Sequence, residues 1–419
     1  MSATEAAPAR PTAPELTDPL VDEAFYADDP FPLYARLRKE APIVWHQPAG
    51  TEPGAPGGWW VVSTQPEVLE VSKDPTRFQS GKGILTLEIG IEYPSPPTMM
   101  HTDPPVHTRY RKLVQPGFSP SAIRALEGPV RALARRLLDA LPTGEAFDVV
   151  PALAEPYPVE VIADLLGIPD EDRDRFVLWS DATIPGASDL SFEECMELMA
   201  EMQGYLMKAC RSRRGSVGTD LISVLANVEV DGETLSDDEL LMFMNQLLVA
   251  GNETTRNMIS GGLWALATNP EQWQALVADP SRIPSCVEEW LRWTTPVVAF
   301  MRTATADTTL GGQAIAAADP ILLLYAAANR DESVFGDDAD EFRIDRSPNP
   351  QVALGFGPHF CIGAALARLE GRILLEELLA RWSGLEPAGD VVRTGSAIIA
   401  GLKHAPIILH GPPAVAHPA

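Results

Sequence analysis

Apolar residues recur at helical spacing through most of the chain, and only a few short runs of Trp, Val, Ile or Thr bounded by turn residues break that rhythm. The 3.6-residue period predicts helices over 31–40, about 66–72, 126–141, 158–166, 170–179 and 192–213, with a short one over 220–227. Asp103-Pro104-Pro105 opens a further helix, on which His107 and Arg111, four apart, share one face. Strands are predicted within 57–64, in short pieces through 297–331 with turns at Asp307, Gly311-Gly312 and Asp319-Pro320, and in a last hairpin around Ile398 and Ile399. The stretch 81–100, GKGILTLEIGIEYPSPPTMM, has Gly and Pro punctuation and unpatterned apolar residues, as in a long loop laid over something apolar.

The longest element starts at Ser236, which forms a capping box with Glu239, and runs to Thr268, where Asn269-Pro270 stops it. At about 1.5 Å per residue it spans roughly 48 Å, enough to cross a domain. It is apolar nearly all round before Gly251, so it belongs in the interior, while Asn245, Gln246, Glu253 and Arg256 argue against a membrane span. A glycine inside a helix costs about 1 kcal/mol relative to alanine and asks for a reason. Ala250 and Gly251 remove bulk on the side where Thr254 projects one turn later, which makes either a notch of diatomic size or a helix-packing contact. Thr254 can also bond back to the Ala250 carbonyl and loosen the helix.

A second change of rhythm falls at 354–382, LGFGPHFCIGAALARLEGRILLEELLARW. Glycines at 355, 357 and 363 let the backbone around Cys361 turn tightly and approach a flat ligand. A helix follows, with Ala365, Leu366, Leu369, Ile373, Leu374 and Leu378 as its apolar face and Arg368, Glu370, Arg372, Glu376 and Glu377 as its polar face. Cys361 thus lies at a helix N-terminus, where free N–H groups and the helix dipole favour a thiolate, a soft metal ligand. No second cysteine or histidine follows at metal spacing, which disfavours zinc and iron–sulfur clusters and suits a metal whose other ligands belong to its own macrocycle. Taken without the glycines and His359, Cys361 would read as a buried core cysteine beside a helix cap.

Gly355-x-Gly357-x-His359-x-Cys361-x-Gly363 resembles the haem-thiolate signature of the cytochrome P-450 superfamily. The resemblance implies a mainly α fold with a small β lobe, the triangular helical prism of that superfamily, and haem b with the Cys361 thiolate as axial ligand. It implies haem-propionate contacts from His359, His107, Arg111 and Arg302, the second and third of these within DPPxHTRxR. Leu354 stands where the family usually has Phe packed by the thiolate, a departure that bears on redox potential. Ala250-Gly251-x-Glu253-Thr254 matches the family's oxygen-binding signature, with Glu253 and Thr254 relaying protons to bound O2. Glu289 and Arg292, three apart on a helix, would by themselves be surface decoration; the family makes of them a buried clasp completed by an arginine, here Arg346. Val249, Val297, Val298, Phe300, Ile398 and Ile399 are expected at the substrate pocket.

Composition narrows the partners. A formal charge of −26 argues against nucleic acid and anionic membrane. The four cysteines lack a pairing pattern and no run of 18 apolar residues occurs, so a cytoplasmic monomer without a membrane anchor is expected. Residues 1–17 and 411–419 are Pro/Ala-rich and expected to be disordered, leaving one domain over 18–410. With 419 residues and no flavin or cluster domain, the electrons are expected from a ferredoxin reduced by an NAD(P)H reductase, docking at Arg109, Lys112 and either Arg368 or Arg372. Segments 249–257, 293–304 and 401–404 resemble actinobacterial members that oxidise sterol side chains and methyl-branched lipids. The alternatives are a tailoring enzyme for a terpenoid, polyketide or carrier-bound acyl or aminoacyl group, and a haem-based sensor without turnover.

Overall fold

The computed structural model describes residues 10–48, 57–89, 97–183 and 190–412. Two short strands, β1 (Ile43–His46) and β2 (Trp59–Val62), are buried at every position, as their apolar runs require, with His46 the one polar residue among them. With β3 (Phe78–Gln79), β4 (Phe300–Ala304) and β5 (Pro320–Leu323) they form a sheet of order β1-β2-β5-β4-β3, antiparallel except between β2 and β5. The two-residue period of β4 turns Met301 into the cluster of Leu16, Tyr34 and Leu37, and turns Phe300 and Arg302 the other way.

The rest of the described chain is mostly helical. Four helices position the site: α1 (Val106–Val114), α2 (Asp237–Thr268), α3 (Ile283–Thr294) and α4 (Ala364–Leu379). The capping box of α2 forms as read: Ser236 Oγ accepts from the Glu239 N–H, and the Glu239 carboxylate accepts from the Ser236 N–H. α2 and α3 approach closely at Gly262, where a Cβ would stand 2.3 Å from the Trp290 ring. α4 packs on α3 and on the helix Glu127–Asp139. These contacts lie in one apolar cluster that takes in Tyr157, Trp179, Phe243, Trp290 and Leu374.

The N-terminal expectation needs correction. Residues 1–9 and 413–419 lie outside the described residues, but Pro14–Thr17 is helical, with Leu16 buried. Arg10 lies 3.7 Å over the Trp45 ring and pairs with Asp319, so apolar and ionic contacts hold a segment whose composition alone reads as disordered.

Candidate active site

Cys361 sits three residues before the first residue of α4, in a loop whose shape two glycines dictate. Gly355 and Gly357 have φ of 69° and 70°, the left-handed region that side chains resist. At Gly357 a Cβ would also stand 2.2 Å from the Ser72 carbonyl oxygen, so the close approach there is to backbone rather than to a flat ligand. The Cys361 N–H donates to the Leu354 carbonyl at 2.9 Å, which closes the loop, and a Cβ at Gly363 would stand 3.8 Å from Sγ. The thiol departs from expectation: burial pushes it up, against the N–H groups of Gly363 and Ala364 and the charges of Arg111 and Arg368. Helix-end electrostatics alone therefore do not hold the thiolate, and a bound metal would.

Above this loop lies a cavity of about 210 Å³ between α1, α2, β4 and the start of α4. Of the residues expected there, Cys361, Leu354, Gly355, Gly357 and Gly363 belong to the loop, and all but Gly357 line the cavity. His107, Arg111, Arg302 and His359 meet along one wall. The His107 and His359 rings are 4.3 Å apart, Ser80 Oγ lies 3.1 Å from His359 Nε2, and Arg111 donates to the Phe360 carbonyl at 2.7 Å. Burial, followed by Arg302, His107 and Arg111, drives His359 down to about 2, and burial likewise lowers His107 and Arg111. His107 Nε2 is buried without a hydrogen-bond partner.

This donor set fits the cofactor that the sequence implies. Two guanidinium groups, two imidazoles and an orphaned ring nitrogen along one edge suit a planar ligand with carboxylates on that edge, and a lone sulfur suits its metal. Among the described residues no group of three His, Cys, Asp or Glu could hold a metal ion, so the metal must bring its remaining ligands with it.

The α2 face of the cavity carries Ala250, Gly251 and Thr254. Thr254 Oγ1 donates to the Ala250 carbonyl at 2.6 Å, the predicted back-bond. The notch at Gly251 is filled: a Cβ there would stand 2.5 Å from Ile162 Cδ1, so the glycine answers to helix packing. Glu253 does not line the cavity. It is buried beside Arg256, 3.2 Å from its guanidinium, and burial raises its carboxyl above the ordinary value against that arginine's pull. Thr254 thus faces the cavity and Glu253 faces away.

Sequence reasoning placed the pocket wall only in part. Val297 and Phe300 line the cavity, whereas Val249, Val298, Ile398 and Ile399 do not. Val298 is turned to a second cavity, and Ile399 is held in a bridge to Val297. The described ends of the long loop do cover the site, through Ile84, Met99 and Met100; residues 90–96 lie outside the described residues. Ile162, Phe243, Met258 and Glu370 were missed. Glu370, read as part of the polar face of α4, is fully buried, and the signal was its spacing from Leu366, Ile373 and Leu374 on the apolar stripe.

Away from the cavity, Glu289, Arg292 and Arg346 come together as expected. Arg292 makes a two-pronged bond to Glu289 at 2.7 and 2.8 Å, and Arg346 stands 3.4 Å from the same carboxylate. The four cations expected to dock a partner already have carboxylates: Arg109 pairs with Glu233 and Glu239, Lys112 with Asp231, Arg368 with Glu288, and Arg372 with Glu127 and Glu376.

Comparison with known proteins agrees with this geometry. The family model for cytochrome P450 matches residues 183–394. A steroid C26-monooxygenase of Mycolicibacterium smegmatis is 38% identical over 88% of this chain and 90% of its own. Linalool 8-monooxygenase of Pseudomonas putida is 35% identical over 94% of this chain and 98% of its own. The solved structure of CYP268A2 of Mycobacterium marinum in complex with pseudoionone superposes with a TM-score of 0.83 at 34% identity, covering 92% of this chain and 97% of that one.

Proposed function

Since the chain belongs to the cytochrome P450 family and is a monooxygenase of that family, we propose that it inserts one atom of O2 into a C–H bond of a sterol, methyl-branched lipid or terpenoid. The observation that carries the substrate class is the cavity wall facing Cys361, where Ile84, Phe118, Phe243, Leu247, Val297 and Phe300 present hydrocarbon. The relatives whose names print a substrate act on a steroid and on linalool, both largely hydrocarbon.

Haem held by a cysteine thiolate supplies the O2 chemistry of this family when bound. In this chain Cys361 would hold the haem iron through its sulfur, and His107, Arg111, Arg302 and His359 would hold the propionates. Burial and the neighbouring arginines lower both histidines, so this wall offers imidazole N–H groups beside two guanidinium charges. Thr254 must break its bond to the Ala250 carbonyl to donate toward the cavity. Glu253 supplies protons only after its pairing with Arg256 opens, and burial lets it keep a proton to higher pH than an exposed glutamate would. Glu289, Arg292 and Arg346 we assign to holding α3 against the chain after β5. Electrons come from a separate ferredoxin and its NAD(P)H reductase.

Absorption titration of the ferric holoenzyme with sterols, branched fatty acids and terpenoids tests the substrate class. A saturable low- to high-spin shift with one of these supports it. A spectrum left low-spin by the whole panel overturns it.

A further inference from the structure

A second cavity, about 300 Å³, lies further toward the C-terminus of α2 than the first. Asn257, Gly261 and Trp264 of α2, Trp293 and Thr294 at the end of α3, and the N-terminal residues Tyr26, Phe31 and Tyr34 bound it, with the hairpin 391–402 over its mouth. Nothing in the monooxygenase reading uses it.

Two buried polar groups in its wall lack partners. Asn257 is 3% exposed, seated against Gly401, and its Nδ2 donates to nothing. Arg330 is 6% exposed, and its Nε is likewise without an acceptor. Phe31 and Trp293 cover the two faces of its guanidinium at 3.4 and 3.7 Å, so a ligand can meet it only edge-on. Its ion pair is with Asp340 at 3.5 Å, a carboxylate that is half exposed. A buried guanidinium so weakly compensated is costly, and burial, with Arg292 adding to it, pulls this one down to about 9. The lining holds two cations, Arg330 and Arg393, against one carboxylate, Asp29.

We infer that this cavity binds a small aromatic carboxylate, its oxygens taken by Arg330 and Asn257 and its ring laid against Trp264 and Tyr34. A carboxylate supplies both missing acceptors and the missing negative charge at once. The aromatic wall supplies the apolar remainder, and the volume lies at the lower end of small-molecule sites.

Calorimetric titration of the holoenzyme with benzoate and with benzamide, followed in parallel by the haem absorption spectrum, tests this. Benzoate should bind saturably and at least about tenfold more tightly than benzamide, without moving the haem spectrum. Thr394→Trp, which fills the mouth, should abolish the heat while leaving the spectral response to an active-site ligand intact, and Asn257→Ala should weaken binding several-fold. No saturable heat means that the cavity holds water alone and overturns the proposal. So does equal binding of benzamide, or benzoate binding that shifts the haem spectrum and survives Thr394→Trp.

Discussion

Single residues around Cys361 separate two kinds of constraint that the sequence shows in one motif. Gly355 and Gly357 share a left-handed backbone, but Gly355 has its nearest neighbour at 3.6 Å and Gly357 has the Ser72 carbonyl at 2.2 Å from a would-be Cβ. Gly355→Ala should therefore cost only the ~1–2 kcal/mol of a left-handed non-glycine, and Gly357→Ala about twice that or more, because two backbones must part. Urea midpoints of the two variants check this, and equal losses would mean that the loop yields freely. Glu370 is the residue that the sequence concealed most. Its charge suggested solvent, and only its place on the stripe of Leu366 and Leu374 suggested otherwise; partners brought by other helices decide such a case, and one helix cannot show them. Burial holds its carboxyl well above the usual range, with Oε2 unpartnered. Below the ordinary carboxylate value the folded and unfolded chains are both protonated there. As pH rises past it, the unfolded chain releases the proton and the folded one does not, so stability falls by up to ~1.4 kcal/mol per pH unit. Glu370→Gln removes that slope. The variant's advantage in urea denaturation should grow between about pH 5 and about pH 7, and a constant difference would show that Glu370 is already ionised.

At the scale of elements, much of the fold was legible. Ser236 with Glu239 marked the start of α2 and Asn269-Pro270 its end, because caps are local chemistry. The helix Phe192–Arg213 agrees with its reading from periodicity alone, and the structure adds a capping box of Ser191 and Glu194 that the reading did not use. The pocket was less legible, because Val298, Ile398 and Ile399 lie in irregular chain around β4 where pairing, not residue type, sets direction. The clasp on α3 shows why an i,i+3 pair cannot be valued from spacing. Glu289 and Arg292 are fully buried and their carboxylate also accepts from the Arg343 N–H and the Asn349 amide. Glu288, its neighbour, pairs with Arg368 near the surface. Glu289→Gln leaves the fully buried Arg292 without a counter-charge, while Arg346 keeps Asp338 at 2.8 Å. It should cost about 3–5 kcal/mol, whereas Glu288→Gln should stay within about 1 kcal/mol. Denaturation of the two variants side by side provides the measurement; similar losses would place the clasp among ordinary surface pairs.

Across the whole molecule, a net charge of −26 opposes any acidic partner at long range, so docking depends on where positive charge is left free. Arg109 and Lys112 lie on α1, and Glu233, Glu239 and Asp231 neutralise them within the chain. Reversing Arg109 would break its own pairs and confound docking with stability. The cleaner change removes the competitors. Glu233→Gln with Asp231→Asn frees one pair on Arg109 and the pair on Lys112, and asparagine tolerates the φ of 57° at position 231. Exposed pairs of this kind contribute at most about 1 kcal/mol, so the fold should hold. If an acidic ferredoxin docks on this face, the double variant should be reduced several-fold faster at low salt in stopped-flow measurements. That gain should fade as ionic strength approaches about 0.15 M, where screening acts within about 8 Å. An unchanged rate at every salt concentration would move electron entry to another face, because two fewer negative charges beside two cations must alter the local field that a charged partner meets.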